Sequence, residues 1–146
     1  MKIIGIDPGV HTGIAICLDG LFTEIYESDF WGAIEAFNKH PDAFVVVELP
    51  VNKAVYQKEY MKTATKHKVG VNVGSVIRES ELLIKWLHSN KRDYMIHRPK
   101  AKKVDDKDFR RVTGWTGRTN QHKRDAALMC LGIKGYKLKI AAEVMD

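Results

Sequence analysis

The chain has 146 residues, of which 45% are hydrophobic, and 24 Lys and Arg against 18 Asp and Glu give it a formal net charge of +6. That length suits one domain with a sizeable core, and that apolar fraction argues against disorder. The excess of positive charge favours a polyanionic partner, and no apolar run approaches the roughly 20 residues needed to span a bilayer.

The elements follow in chain order. Lys2–Ile6, Gly13–Leu18 and Leu21–Tyr26 read as short strands rich in Ile and Leu. Pro8-Gly9 and Asp19-Gly20 separate them, and Asp-Gly is a strong hairpin signal because a type I′ turn needs positive φ at both central residues. Consecutive hairpins predict an antiparallel meander. Asp29–Lys39 reads as a helix, with Trp31, Ile34 and Phe37 spaced along one face. Ala43–Glu48 has no polar alternation, which suits a central strand covered on both sides. Val51–Lys66 is a polar helical stretch. Val73–Ser89 is a clearer helix, with an apolar stripe of Val76, Ile77, Leu83, Ile84 and Leu87. Asp93–His97 is a fifth strand, and the remainder is helical around a break at Gly114–Gly117. The expected fold is α/β: a five-stranded mixed sheet, a β1-β2-β3 meander followed by parallel strands, with helices on both faces, in one domain over residues 1–146. Cys17 and Cys130 lie in apolar runs and read as reduced core residues, from which a cytoplasmic protein is expected.

Three carboxylates stand at the ends of apolar elements. Asp7 closes Ile3-Ile4-Gly5-Ile6, Glu48 closes Phe44-Val45-Val46-Val47, and Asp125 lies in His122-Lys123-Arg124-Asp125-Ala126-Ala127-Leu128. A charge beside a core strand is costly unless it is paired or binds a cation. Three such groups far apart in sequence predict one metal site assembled by folding. His122 and Asp125, three residues apart on a helix, share a face. Oxygen ligands favour Mg²⁺, with Mn²⁺ able to substitute. Two cations about 3.5–4 Å apart would serve phosphodiester hydrolysis. His122 is a candidate ligand, general base or phosphate contact.

The ordered trio Ile4-Gly5-Ile6-Asp7-Pro8-Gly9-x-x-x-Gly13, Val45-Val46-Val47-Glu48 and His122-x-x-Asp125-Ala126-Ala127 resembles the RuvC family of Holliday junction resolvases, within the ribonuclease H-like superfamily. The chain is compact, and Leu49-Pro50-Val51 stands where bacterial members place an aromatic after the strand-end Glu. It therefore looks like a phage-type member, which would act in the host cytoplasm. The resemblance implies a crossover junction endodeoxyribonuclease. Asp7, Glu48, His122 and Asp125 would be its catalytic and metal-binding residues, branched DNA its substrate, and it would need no small-molecule cofactor. An RNA-processing nuclease of the YqgF type shares these motifs in outline and is the alternative.

The resemblance also implies that Lys103 and Lys107 contact DNA. They lie in a basic run that includes Arg98, Lys100, Lys102, Arg110, Arg111, Arg118, Lys123 and Arg124, and Arg118 is a third candidate. Lys58, Lys62 and Lys66 repeat every four residues beside Tyr56 and Tyr60. These tyrosines could stack on exposed bases while the lysines grip backbone. Symmetric nicking of a four-way junction needs two sites related by a two-fold. A homodimer is therefore expected, with Val73–Ser89 and its Trp86 as the dimer helix.

Overall fold

The computed structural model describes residues 1–50, 63–98 and 103–132, with the side chains of residues 63–73 outside the described set. Five strands, β1 (Lys2–Asp7), β2 (Thr12–Leu18), β3 (Leu21–Ser28), β4 (Phe44–Glu48) and β5 (Tyr94–His97), form one sheet in the order β3-β2-β1-β4-β5. The first three pair antiparallel, and β1–β4 and β4–β5 pair parallel. The expected mixed sheet is therefore what forms. Asp19 and Gly20 both take positive φ, 51° and 86°, as the β2–β3 hairpin requires.

The helices are α1 (Phe30–Lys39), α2 (Thr63–Ser89), α3 (Asp106–Thr113) and α4 (Gln121–Leu131). Each of α1, α3 and α4 starts on a side-chain cap. Asp29, Asp105 and Asn120 accept backbone N–H groups from the first turn at 2.8–3.0 Å. Gly114 closes α3 in the left-handed region, φ 72°.

Side chains alternate across the sheet and build two cores. Ile4, Ile6, Ile14, Ile16, Val45 and Val47 face α1 and α2, where Phe37, Leu83 and Leu87 cover them. Ile3, Ala15, Cys17, Phe44 and Val46 face the other way, against Phe109 of α3 and Ala126, Ala127 and Met129 of α4. Cys17 and Cys130 are both buried and free.

Two expectations change, the division of the helical region before β5 and the side of α1 on which Trp31 lies. Residues 63–66 and 73–89 belong to one helix rather than two, which runs on through Gly70 and Gly74. Residues 51–62, with Tyr56 and Tyr60, lie outside the described residues. Leu83, Ile84 and Leu87 of the α2 stripe cover the protein's own sheet and are at most 3% exposed. Trp31 is 73% exposed. The inward stripe of α1 is Phe30, Ala33, Ile34 and Phe37, which leaves position 31 on the outer side.

The approach of α4 to the sheet is unusually close. A Cβ on Gly5 would sit 2.1 Å from the Ala126 carbonyl oxygen, and one on Gly13 would sit 2.1 Å from that of His122. Both obstacles are backbone, so the helix as a whole would have to move. We expect Gly5→Ala to lower unfolding free energy by about 1–3 kcal/mol or more in urea titrations. Gly74→Ala, which meets nothing within 4 Å in an α2 turn, should be neutral or stabilising by up to about 1 kcal/mol. Equal effects at the two positions would contradict this packing.

Candidate active site

Period-2 alternation decides where the strand-end carboxylates point. Asp7 follows Ile3 and Gly5 on the α4 face of β1, and Glu48 follows Phe44 and Val46 on the same face of β4. The parallel register pairs Ile6 with Val47, so Asp7 and Glu48 come one step further along adjacent strands. On the flanks, Gly13 pairs with Asp7 and His97 with Glu48. A row of Gly13, Asp7, Glu48 and His97 thus crosses one end of the sheet. The first turns of α4 lie over it and bring in His122 and Asp125.

Asp7, Glu48, His122, Asp125, Lys103 and Gln121 line one open cleft of about 370 Å³. His122 Nδ1 lies 3.3 Å from Asp7 Oδ2. Asp125 is engaged at both oxygens, by Gln121 Nε2 and Lys103 Nζ, each at 2.8 Å. Asp7 and Glu48 are buried, 7% and 8% exposed. Burial, reinforced by the charge of Asp125, raises the Asp7 carboxyl to about 7. Burial, reinforced by the charge of Asp7, raises Glu48 to about 7. Lys103 partly offsets both shifts. Burial alone would lower the Lys103 ammonium, but Asp125, then Glu48 and Asp7, hold it above its ordinary value.

The surroundings fix these groups from behind. Ser80 of α2, fully buried, donates its hydroxyl to the Glu48 carbonyl oxygen at 2.9 Å. Thr12 Oγ1 donates to the Gly9 carbonyl at 3.0 Å and braces the turn after Asp7. Arg124 donates from Nε to the Val104 carbonyl at 2.9 Å and from a terminal nitrogen to Gln121 Oε1 at 3.3 Å. It thereby ties the segment carrying Lys103 to the helix carrying Asp125.

All four sequence-predicted catalytic residues meet in this cleft, together with Lys103. Lys107 and Arg118 are exposed, on α3 and on the loop before α4 respectively. Arg110 and Arg124 turn inward instead, onto Asp106, Gly117 and Val104, so they leave the basic surface predicted from the run. Gln121, Ser80 and His97 were missed. Gln121 lies one turn before Asp125, a detectable spacing, whereas Ser80 and His97 reach the site only through packing and strand register.

The donor set suits a hard divalent cation, because it consists of carboxylate oxygens whose mutual repulsion a cation relieves. Among the described residues, no three His, Cys, Asp or Glu side chains are gathered closely enough to hold one ion in common. Asp125 is meanwhile turned to Lys103 and Gln121.

No family model matches the chain, and no curated protein matches it. Among solved structures the chain is similar to T. thermophilus RuvC in complex with a Holliday junction substrate, at 14% identity and a TM-score of 0.56, over 86% of this chain and 88% of that one. The chain thus shares the fold of that RuvC, a mixed five-stranded sheet with helices.

The raised carboxyls carry a pH signature. Folded, Asp7 and Glu48 keep their protons to about 7; unfolded, they release them near their ordinary values of 3.8 and 4.5. The folded state therefore binds more protons in that window. Stability from the pair is full below it and falls as pH rises through it. Without metal, the melting temperature should drop by several degrees between about pH 5 and about pH 7.5, and Asp7→Asn should remove part of that drop. An Asp7→Asn profile parallel to wild type would show Asp7 to be unperturbed.

Proposed function

We propose that this protein is a metal-dependent, structure-selective endonuclease that hydrolyses phosphodiester bonds in four-way junctions and related branched DNA, working as a homodimer. The observation that carries this reading is the convergence of Asp7, Glu48 and Asp125, from two strands and a helix, in one cleft beside His122 and Lys103. The fold it shares with a RuvC whose structure contains a Holliday junction supports branched DNA as the substrate class.

Asp7, Glu48 and Asp125 would hold Mg²⁺ or Mn²⁺, which when bound supplies an activated water and neutralises charge at the leaving oxygen. The protein's own groups do the rest. His122 is half-exposed, with Nδ1 held at 3.3 Å from Asp7 Oδ2. That contact orients the ring and leaves Nε2 available to accept a proton or meet a phosphate oxygen. Ser80 and Thr12 keep the two strand ends from shifting, so the carboxylates meet the substrate in a fixed frame. Lys107 and Arg118 offer exposed cations to the flanking backbone, a contact that positions DNA without reading its sequence. The two-fold of a dimer would match the two-fold of a four-way junction and give paired cuts.

The deciding experiment incubates the purified protein with four-way, three-way, fork and duplex DNA and with structured RNA, in Mg²⁺ and in EDTA. Cleavage confined to RNA would replace this reading with an RNA-processing one. Asp7→Asn, Glu48→Gln and Asp125→Asn should each reduce cleavage at least about 100-fold while leaving junction binding nearly unchanged. Lys107→Ala and Arg118→Ala should weaken binding to all sequences alike, each lowering the log–log salt slope by about 1. Full activity in any carboxylate variant would remove that residue from the site.

A further inference from the structure

Lys103 stands in an unexpected place for a DNA-contacting lysine. Its ammonium turns back at the rim of the cleft onto a carboxylate, 2.8 Å from Asp125 Oδ2. Asp125 is 13% exposed at its side chain and Lys103 43%. The placement is braced, because Arg124, itself 13% exposed, holds the Val104 carbonyl next along the chain. Gln121 donates to the other Asp125 oxygen at 2.8 Å, so each oxygen already holds one donor. A cation drawn to Asp125 meets an amide and an ammonium already there. The ammonium is the one it repels.

We propose that Lys103 is a resident counter-ion that competes with the divalent cation for Asp125 and, once displaced, is handed to a substrate phosphate. The proposal rests on the nuclease reading above. In the metal-free protein, Lys103 supplies positive charge that helps three carboxylates share one cleft. Lysine suits the exchange because it carries a compact charge on a flexible stem, which can leave one anion for another without losing a bidentate fit. Metal entry and phosphate capture are then coupled by one side chain. The freed ammonium seeks an anion when the site is ready for one.

The sign of this coupling separates it from a structural salt bridge. Losing a structural bridge would loosen the site and weaken metal binding. Losing a competitor strengthens it. Mn²⁺ titrated calorimetrically into the metal-free full chain, without DNA, should bind Lys103→Gln about tenfold more tightly than wild type. Lys103→Arg, which restores a cation, should bind it close to wild type. Without metal, Lys103→Gln should melt below wild type, and saturating Mn²⁺ should raise its melting temperature by more. The handover has its own readout. With Ca²⁺ present, Lys103→Gln should lower the salt slope of junction binding by about 1, and in EDTA it should leave the slope unchanged.

Mn²⁺ binding to Lys103→Gln that is equal to or weaker than wild type would overturn the counter-ion role while leaving the acidic site standing. An equal loss of slope in Ca²⁺ and in EDTA would overturn the handover. No Mn²⁺ binding by wild type at any concentration, together with no shift in melting, would overturn this proposal and the nuclease reading alike.

Discussion

The contact on which the rest of the structure depends is the bare-backbone approach of α4 to β1 and β2. Gly5 and Gly13 present no side chain where the Ala126 and His122 carbonyls come down, and Ala126 and Ala127 are fully buried in the seam. Small residues on both sides let the helix lie on the sheet itself rather than on a layer of larger side chains. That separation sets how far Asp125 and His122 stand from Asp7. A Cβ at 5 or 13 would meet those carbonyl oxygens at 2.1 Å, so the helix would have to lift and the cleft would widen. The glycines of the first motif therefore act at a distance from any substrate, by fixing the height of the helix that completes the site.

That closeness creates an electrostatic problem, which the fold resolves only in part. Asp7 and Glu48 project from neighbouring strands into a buried corner, and Asp125 is added from above. Partial protonation of the strand carboxyls and the intrusion of Lys103 lower the net charge. Neither is a full solution, and the corner is left short of positive charge. The same shortage destabilises the metal-free fold near neutral pH. Stability and site chemistry are thus linked through the same two residues, as expected where charge is gathered for function and not for folding.

The helices on the opposite face have a different role. The apolar side of α2 closes the core over β1 and β4 through Leu83, Ile84 and Leu87, and Ser80 on the same helix reaches the Glu48 carbonyl. One helix thus covers the core and steadies a strand end, from the side away from the cleft. Arg92 does a similar service for α1, donating to the carbonyls of Phe37 and His40 that end the helix. The site depends on both faces of the sheet, although its side chains emerge on one.

Much of this was legible in the sequence. Asp19-Gly20 gave the hairpin, because few residues tolerate consecutive positive φ. The apolar runs of β1 and β4 gave central strands, because only a strand covered on both faces is apolar throughout. Asp7, Glu48 and Asp125 announced themselves as charges at the ends of such runs, where an unpaired carboxylate is too costly to be incidental. Two kinds of feature were out of reach. Whether an apolar stripe faces the protein's own sheet or a partner depends on where the helix docks, and Leu83 and Leu87 read the same either way. Whether a basic residue meets solvent, a carbonyl or a carboxylate depends on the few ångströms around its head group. Arg118, Arg124 and Lys103 are alike as letters, yet one is exposed, one holds the Val104 carbonyl and one sits on Asp125. Periodicity and local cost are properties of the chain and can be read along it. Partners are assigned by docking, which brings together residues more than a hundred positions apart, as it does Asp7 and His122.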